Sequence, residues 1–198
     1  TLDYYPKIDI CNGIRIGIMM YGIESTFPRF NGIKGYIKKM KFDIFRKKNN
    51  LPEIYSSRKI TVNGGLSLYS KVIDIQKASK DEIVGYGCKT VLKEDSYIAI
   101  IPLGYADGIS TKYNNAYVKI NNNKYKIIGS INMGMMTILV DNKVKLGDIV
   151  TVIDKFDSYK EYGKIYNVGP YVFLTSLRRE LPRKYISNGK VEKEINYE

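Results

Sequence analysis

Two tyrosines sit inside glycine-rich loops, one in Gly85-Tyr86-Gly87 and one in Gly104-Tyr105-Ala106-Asp107-Gly108. Glycines on both sides let the main chain turn sharply and approach a ligand, so a ring held between them can project into a cleft. Few other residues compete for a chemical role. The sequence holds no histidine, which excludes serine-histidine and cysteine-histidine nucleophiles within this chain. Cys11 and Cys88 are its two cysteines, too few for a disulfide framework or a thiolate metal site, and no metal is expected. Asp107, Asp141 and Asp148 lie in glycine- or asparagine-rich turns and read as turn formers. Tyrosine is the remaining excess, with 18 copies. Most of these must be packing residues, because the ring buries well while the hydroxyl keeps a partner.

The 198 residues, 44% hydrophobic and 26% charged, suffice for one large domain or two small ones and exclude a disordered chain. The formal charge of +12 favours anionic partners such as phosphates, nucleic acid or a negatively charged surface. Its densest stretch, Lys34 to Lys48, first reads as a solvated lysine-rich surface. The apolar runs Ile98–Leu103 and Met135–Val140 are far shorter than the roughly 20 residues that cross a bilayer. No signal-peptide pattern opens the chain, so a soluble, unsecreted protein with no membrane partner is expected. The first residue is Thr1 rather than methionine, and a piece of a longer chain is expected.

The elements that must position these loops follow from apolar patterning. Ile14 to Tyr21 is apolar almost throughout, as in a strand buried on both faces of a parallel sheet. Glu24 to Gly65 shifts to Gly, Pro, Asn and Lys and reads as a linker with an insertion, holding a short helix at Gly35 to Lys47. Beyond Gly64-Gly65, short strands are expected at Leu66–Gln76, Tyr97–Pro102, Ala116–Ile120, Tyr125–Ile131, Met135–Asp141 and Asp148–Ile153. Asn121-Asn122-Asn123 is a hairpin signal, because asparagine tolerates positive φ. Such spacing argues for a mainly β protein built as a compact antiparallel sheet or barrel. Ser158–Tyr166 and Pro170–Glu180 read as helices, the second ended by Leu181-Pro182, and Ser187–Glu198 reads as a fraying polar tail.

In order and at family spacing, the chain carries Arg15-Ile16-Gly17-Ile18 with Tyr21-Gly22, then Gly85-Tyr86-Gly87, then Ile101-Pro102-Leu103-Gly104-Tyr105-Ala106-Asp107-Gly108. Ile128-Gly129 leading to Met133, then Tyr171 and Leu181-Pro182-Arg183, complete the set. This set resembles the C-terminal part of alanine racemases, over nearly the whole chain apart from the basic insertion and the tail. The family joins an N-terminal eight-stranded α/β barrel to a C-terminal β domain, uses pyridoxal 5'-phosphate, and works as head-to-tail homodimers. The resemblance implies that residues 1–24 are the last βα segment of the barrel and 25–65 a linker with a basic insertion. It further implies that 66–186 form the β domain with two short helices and that 187–198 form a polar tail. The barrel's Schiff-base lysine is then missing from this chain, so the isolated fragment is expected to be inactive. The orphan strand at 14–21 would promote association.

By the same resemblance, Arg15 bonds the pyridine nitrogen of the cofactor. A permanently protonated guanidinium there keeps that nitrogen unprotonated and weakens the electron sink. Backbone amides of Gly17 and Ile18 and the hydroxyl of Tyr171 bind the phosphate. Tyr86 is the catalytic tyrosine, serving the partner subunit's cofactor. A phenol has a pKa near 10, so this role needs a downward shift of roughly two to three units from cationic neighbours. Tyr105 narrows the substrate entrance, and Met133 lines the substrate pocket partly through its N–H. The implied activity is conversion of L-alanine to D-alanine in the cytoplasm for cell-wall peptidoglycan, on a small amino-acid substrate.

Two departures accompany the match. The family's Cys-Met-Asp reads Asn132-Met133-Gly134 here, which removes a carboxylate, and Thr90 stands where a tyrosine is common. A serine or broader substrate range, or a noncatalytic remnant with the same fold, is the alternative. A basic tyrosine-rich β domain could also stack single-stranded nucleic acid. The placement of Tyr86 and Tyr105 in glycine loops, rather than alternating along one strand face, disfavours that.

Overall fold

The computed structural model describes residues 17–22, 32–50, 64–85, 87, 90–113, 116–155, 157 and 159–197. The chain divides into two compact units, 1–63 and 64–198.

In the first unit, Ile18–Tyr21 is a 3₁₀ turn rather than the end of a strand, while residues 14–16 lie outside the described residues. The Met20 N–H donates to the Gly17 carbonyl at 3.0 Å, and Gly22, with φ 76°, ends the turn. A 17-residue helix, α1 (Gly32–Lys48), covers and extends the helix expected at 35–47. Arg46, Lys47 and Lys48 in its last turn complement the helix dipole. The Asn49 side chain caps the Phe45 carbonyl at 2.7 Å, and Asn50 leaves the helix with φ 49°.

Among its described residues the second unit holds eleven strands: β1 (Leu68–Lys71), β2 (Asp74–Ala78), β3 (Ile83–Val84), β4 (Thr90–Val91), β5 (Ser96–Ile101), β6 (Tyr117–Ile120), β7 (Asn123–Ile128), β8 (Met136–Val140), β9 (Ile149–Ile153), β10 (Arg183–Ser187) and β11 (Lys190–Ile195). Seven of them form one antiparallel sheet in the order β1-β9-β6-β7-β8-β5-β2. The mainly β antiparallel architecture is as the residue pattern predicts.

The two edge strands, β1 and β2, are consecutive in the chain. Only Val72 and Ile73 join them, so at that point the two edges are no more than about 11 Å apart and the sheet must curl on itself. Leu66–Gln76 is therefore not one strand. The break is held by the Val72 N–H on the Asp148 carbonyl and the Ile73 N–H on the Ile100 carbonyl, both at 3.0 Å. Val118 and Ile120 in the alternating strand β6, with Ile127 in β7, Ile138 in β8 and Val150 and Val152 in β9, are all buried and supply the core. The β6–β7 connection is a two-residue turn at Asn121 (φ 49°) and Asn122 (φ 67°), the primed type that matches strand twist.

Helices α2 (Tyr159–Ile165) and α3 (Pro170–Thr175) follow the sheet, and α3 ends well before the expected Glu180. It stops because Ser176 turns its hydroxyl back onto the Phe173 carbonyl and across to the Gly108 carbonyl, each at 2.9 Å. Phe173 of α3 stacks on Tyr166 with ring centroids 4.8 Å apart. The expected polar tail is instead the second strand of a hairpin, β10–β11, turned at Asn188 (φ 49°) and Gly189 (φ 78°). Among the described residues no helix is long and apolar enough to cross a membrane.

Candidate active site

The connection between β7 and β8 is approached closely by two other chain segments of the second unit, at Gly129 and at 132–134, where glycine removes the side chain that would hold them apart. The first is the tip of the β3–β4 hairpin. Gly85 (φ 84°) and Gly87 (φ 80°) both adopt left-handed backbone, which glycine takes at no steric cost. Tyr86 itself lies outside the described residues. A Cβ added at Gly85 would meet the Cα of Gly129 at 2.9 Å, so the tip can lie against Gly129 only because both positions are glycine. Thr90, the first residue of β4 after the hairpin loop, accepts the Gly129 N–H on its hydroxyl at 3.0 Å. The Gly129 carbonyl in turn accepts the Tyr113 hydroxyl, whose pKa is raised by burial. Thr90 thus takes a structural role where the family commonly carries a tyrosine.

The second segment is the 3₁₀ turn Tyr105–Asp107, which lies against the loop 132–134. The Tyr105 N–H donates to the Asn132 carbonyl at 3.0 Å and the Ala106 N–H to the Met133 carbonyl at 2.9 Å. A Cβ on Gly104 would fall 2.2 Å from the Asn132 carbonyl oxygen, so glycine is what admits this approach. Tyr105 and Met133, expected at the substrate pocket, are therefore carried on directly bonded backbones. Both side chains face solvent, at 50% and 64% exposure. Gly134 follows with open space: a Cβ there would meet nothing within 4 Å.

Asp107 organises this corner, which its reading as a turn former captures only locally. Its carboxylate is buried, accepts the Gly104 N–H at 2.9 Å, and lies 3.6 Å from the Arg178 guanidinium. The Asp107 carbonyl accepts the Arg178 N–H at 3.1 Å. Gly108, with φ 97°, sits where a Cβ would strike the Ser176 carbonyl at 2.2 Å. The end of α3 is thereby fixed to the Tyr105 turn. Asp141 and Asp148 are turn formers as expected, accepting the N–H groups of Lys143 and Lys145. The Gly104-x-x-Asp107 spacing is the sequence signal for the Asp107 bond, an acid three residues into a helical turn reaching back to the turn's first N–H.

Tyr171 stands in the first turn of α3, 56% exposed, and its hydroxyl makes no hydrogen bond among the described residues. Gly17 and Ile18 open the 3₁₀ turn of the first unit, and a Cβ on Gly17 would meet nothing within 4 Å. Arg15 lies outside the described residues. Among the described residues no cluster of His, Cys, Asp and Glu could hold a metal ion.

A sequence profile described as "Alanine racemase, C-terminal domain" matches residues 65–185. The alanine racemase of Fusobacterium nucleatum is 37% identical over 193 residues, covering 92% of this chain and 51% of that protein. That of Borreliella burgdorferi is 39% identical over 124 residues, covering 61% of this chain and 33% of that protein. Among solved structures, the Bacillus anthracis alanine racemase with bound L-Ala-P superposes with a TM-score of 0.71 at 28% identity, covering 92% of this chain and 42% of that one. The chain spans about half the length, or less, of the curated relatives it matches. With an antiparallel sheet of this order and the Tyr105, Met133 and Gly85 segments joined as described, the chain belongs to the alanine racemase family, and residues 65–185 are its C-terminal domain.

Proposed function

We propose that this chain is the C-terminal portion of a cytoplasmic, pyridoxal-phosphate-dependent racemase that interconverts L- and D-alanine for peptidoglycan, and that it works only when joined to a barrel portion within a homodimer. The observation that carries this reading is the pair of main-chain bonds from Tyr105 and Ala106 to Asn132 and Met133. They present an aromatic and a thioether side chain from a rim built by close glycine contacts, in a domain matched to the family along its length.

Each residue assigned to the cofactor's phosphate has, taken by itself, the chemistry to bind it. Gly17 is exposed and offers open space over its main chain, so a bulky anion can approach the amides of Gly17 and Ile18. The free, exposed Tyr171 hydroxyl is a donor of the right kind. Arg15 is assigned to the pyridine nitrogen. The bound cofactor supplies an electron sink for the substrate's α-carbon.

Tyr86 holds or removes the proton at that carbon, on the face opposite the Schiff-base lysine, which we place outside these residues. As a phenol it needs cationic neighbours to work near neutral pH. Tyr105 narrows the entrance, and Met133 orients the substrate. In this reading residues 1–24 close the barrel, and 25–65 link it to the β domain.

Co-expression of this chain with the N-terminal portion of the Fusobacterium nucleatum racemase tests the reading. The assembled pair is expected to show the visible absorbance of the bound cofactor and to form D-alanine, the chain alone neither. Tyr86→Phe should cost about 10²- to 10⁴-fold in rate, the span of a lost acid or base. An assembled, cofactor-loaded pair that forms no D-alanine overturns the reading.

A further inference from the structure

Helix α1 lies outside the segment matched to the family's C-terminal domain, and no residue of it is buried. At 100° per residue, Ile33, Tyr36, Ile37, Met40 and Ile44 recur at helical spacing and fall within one arc of about 100°. All five are exposed, from 49% at Ile37 to 83% at Ile33. Of the four half-buried residues, Gly35, Phe42 and Arg46 lie on the other side of the helix, and Asp43 lies at the stripe's edge beside Tyr36. The larger apolar stripe is therefore not the side that α1 turns inward. Lys34, Lys41 and Lys48, all exposed, border the stripe, and Lys47 closes its C-terminal end. Seven basic residues stand against one acid, Asp43, over the whole helix.

That charge selects the occupant. A second copy of the helix would bring two strongly positive faces together, which is repulsive. A nucleic acid would meet the lysines but has no use for a stripe of isoleucine and methionine. An anionic bilayer surface satisfies both halves: the stripe enters the headgroup boundary by about 5–10 Å, and the bordering lysines reach outward to lipid phosphates. With 17 residues the helix is about 25 Å long, enough to lie in the surface. We propose that α1 is a membrane-surface helix that docks this protein on anionic lipid, contrary to the expectation of no membrane partner.

Vesicle co-sedimentation of the 198-residue chain tests this. Binding is expected to vesicles of equal parts phosphatidylcholine and phosphatidylglycerol, and none to phosphatidylcholine alone. Lys34→Ala with Lys41→Ala should weaken binding about 30-fold, at about 1 kcal/mol for each lysine near an anionic surface. Ile37→Glu with Ile44→Glu should abolish it, with circular dichroism verifying the fold.

The sequence contains no tryptophan, so a single introduced one reports its own surroundings. Emission of Tyr36→Trp should shift to the blue on adding the anionic vesicles, and that of Lys38→Trp should not. No binding to anionic vesicles, binding indifferent to the two glutamates, equal shifts from both tryptophans, or binding to single-stranded RNA alone overturns the proposal.

Discussion

Gly85 and Gly129 cross so closely that a Cβ on the first would lie 2.9 Å from the Cα of the second, and a Cβ on the second 3.1 Å from the Cα of the first. Both hold left-handed backbone, at φ 84° and 68°. Gly85→Ala therefore combines about 1–2 kcal/mol of left-handed strain with a backbone clash that must push the hairpin tip aside. The expected result is a loss of at least that much in urea unfolding. In the assembled racemase the same change should lower kcat, because the displaced tip carries Tyr86. Unchanged stability would show that the two segments separate without cost.

Gly134 presents the opposite situation. Open space surrounds its Cβ position, and its φ is not left-handed. Gly134→Asp, which restores the family's carboxylate, should leave stability within about 0.5 kcal/mol, as for an unobstructed surface site. Its effect belongs in catalysis: kcat/KM for alanine in the assembled enzyme should rise relative to serine, measured by competing the two amino acids. A large drop in the unfolding midpoint would mean that the loop is closed over this position.

Strand β6 was legible because it alternates: Val118 and Ile120 point inward and Tyr117 and Lys119 outward, the period-two signature, whereas β8 was legible as a short apolar run. The Asn121-Asn122 turn was legible for its tolerance of positive φ. Strands β3 and β4 were not, since two residues each carry no period, and they exist through pairing and the Thr90 bond to Gly129. The β10–β11 hairpin contained an Asn188-Gly189 turn signal, but Lys190, Glu192, Lys193 and Glu194 gave its second strand the composition of a tail. The break at Val72-Ile73 was hidden because no Gly, Pro or Asn between Leu66 and Gln76 marks a turn there. At the candidate site, residue types were readable and proximity was not. Tyr105 and Met133 meet through main-chain bonds that only the room left by Gly104 permits.

Asp107 bonds the buried Gly104 N–H at 2.9 Å, so Asp107→Ala would leave that donor unpaired at a cost of about 1–3 kcal/mol. Asp107→Asn keeps an acceptor oxygen and should cost less. The Arg178 guanidinium, half-exposed and 3.6 Å away, adds little, and Arg178→Ala should change stability by less than about 1 kcal/mol. Urea titrations of the three variants separate these contributions. Equal losses for Asp107→Asn and Asp107→Ala would assign the effect to charge rather than to the hydrogen bond.

Tyr162 and Tyr166 are neighbours around Phe173 with opposite hydroxyl environments. The Tyr162 hydroxyl accepts the Asp154 N–H at 3.0 Å and donates to Asp157 at 3.1 Å, whereas the buried Tyr166 hydroxyl has no partner among the described residues. Tyr162→Phe should therefore destabilise by about 1–2 kcal/mol, and Tyr166→Phe should be neutral or stabilising, because it removes a desolvated polar group at almost no change of shape. Burial raises both phenol pKa values. The folded chain thus holds these protons more tightly than the unfolded chain does. Their contribution is complete below about pH 10, the ordinary phenol value, and is lost as pH rises beyond it, each group steepening the fall by up to about 1.4 kcal/mol per pH unit. Denaturation midpoints measured from pH 8 upward should fall less steeply for Tyr166→Phe than for the parent chain. Parallel curves would mean that Tyr166 ionises as freely in the fold as out of it.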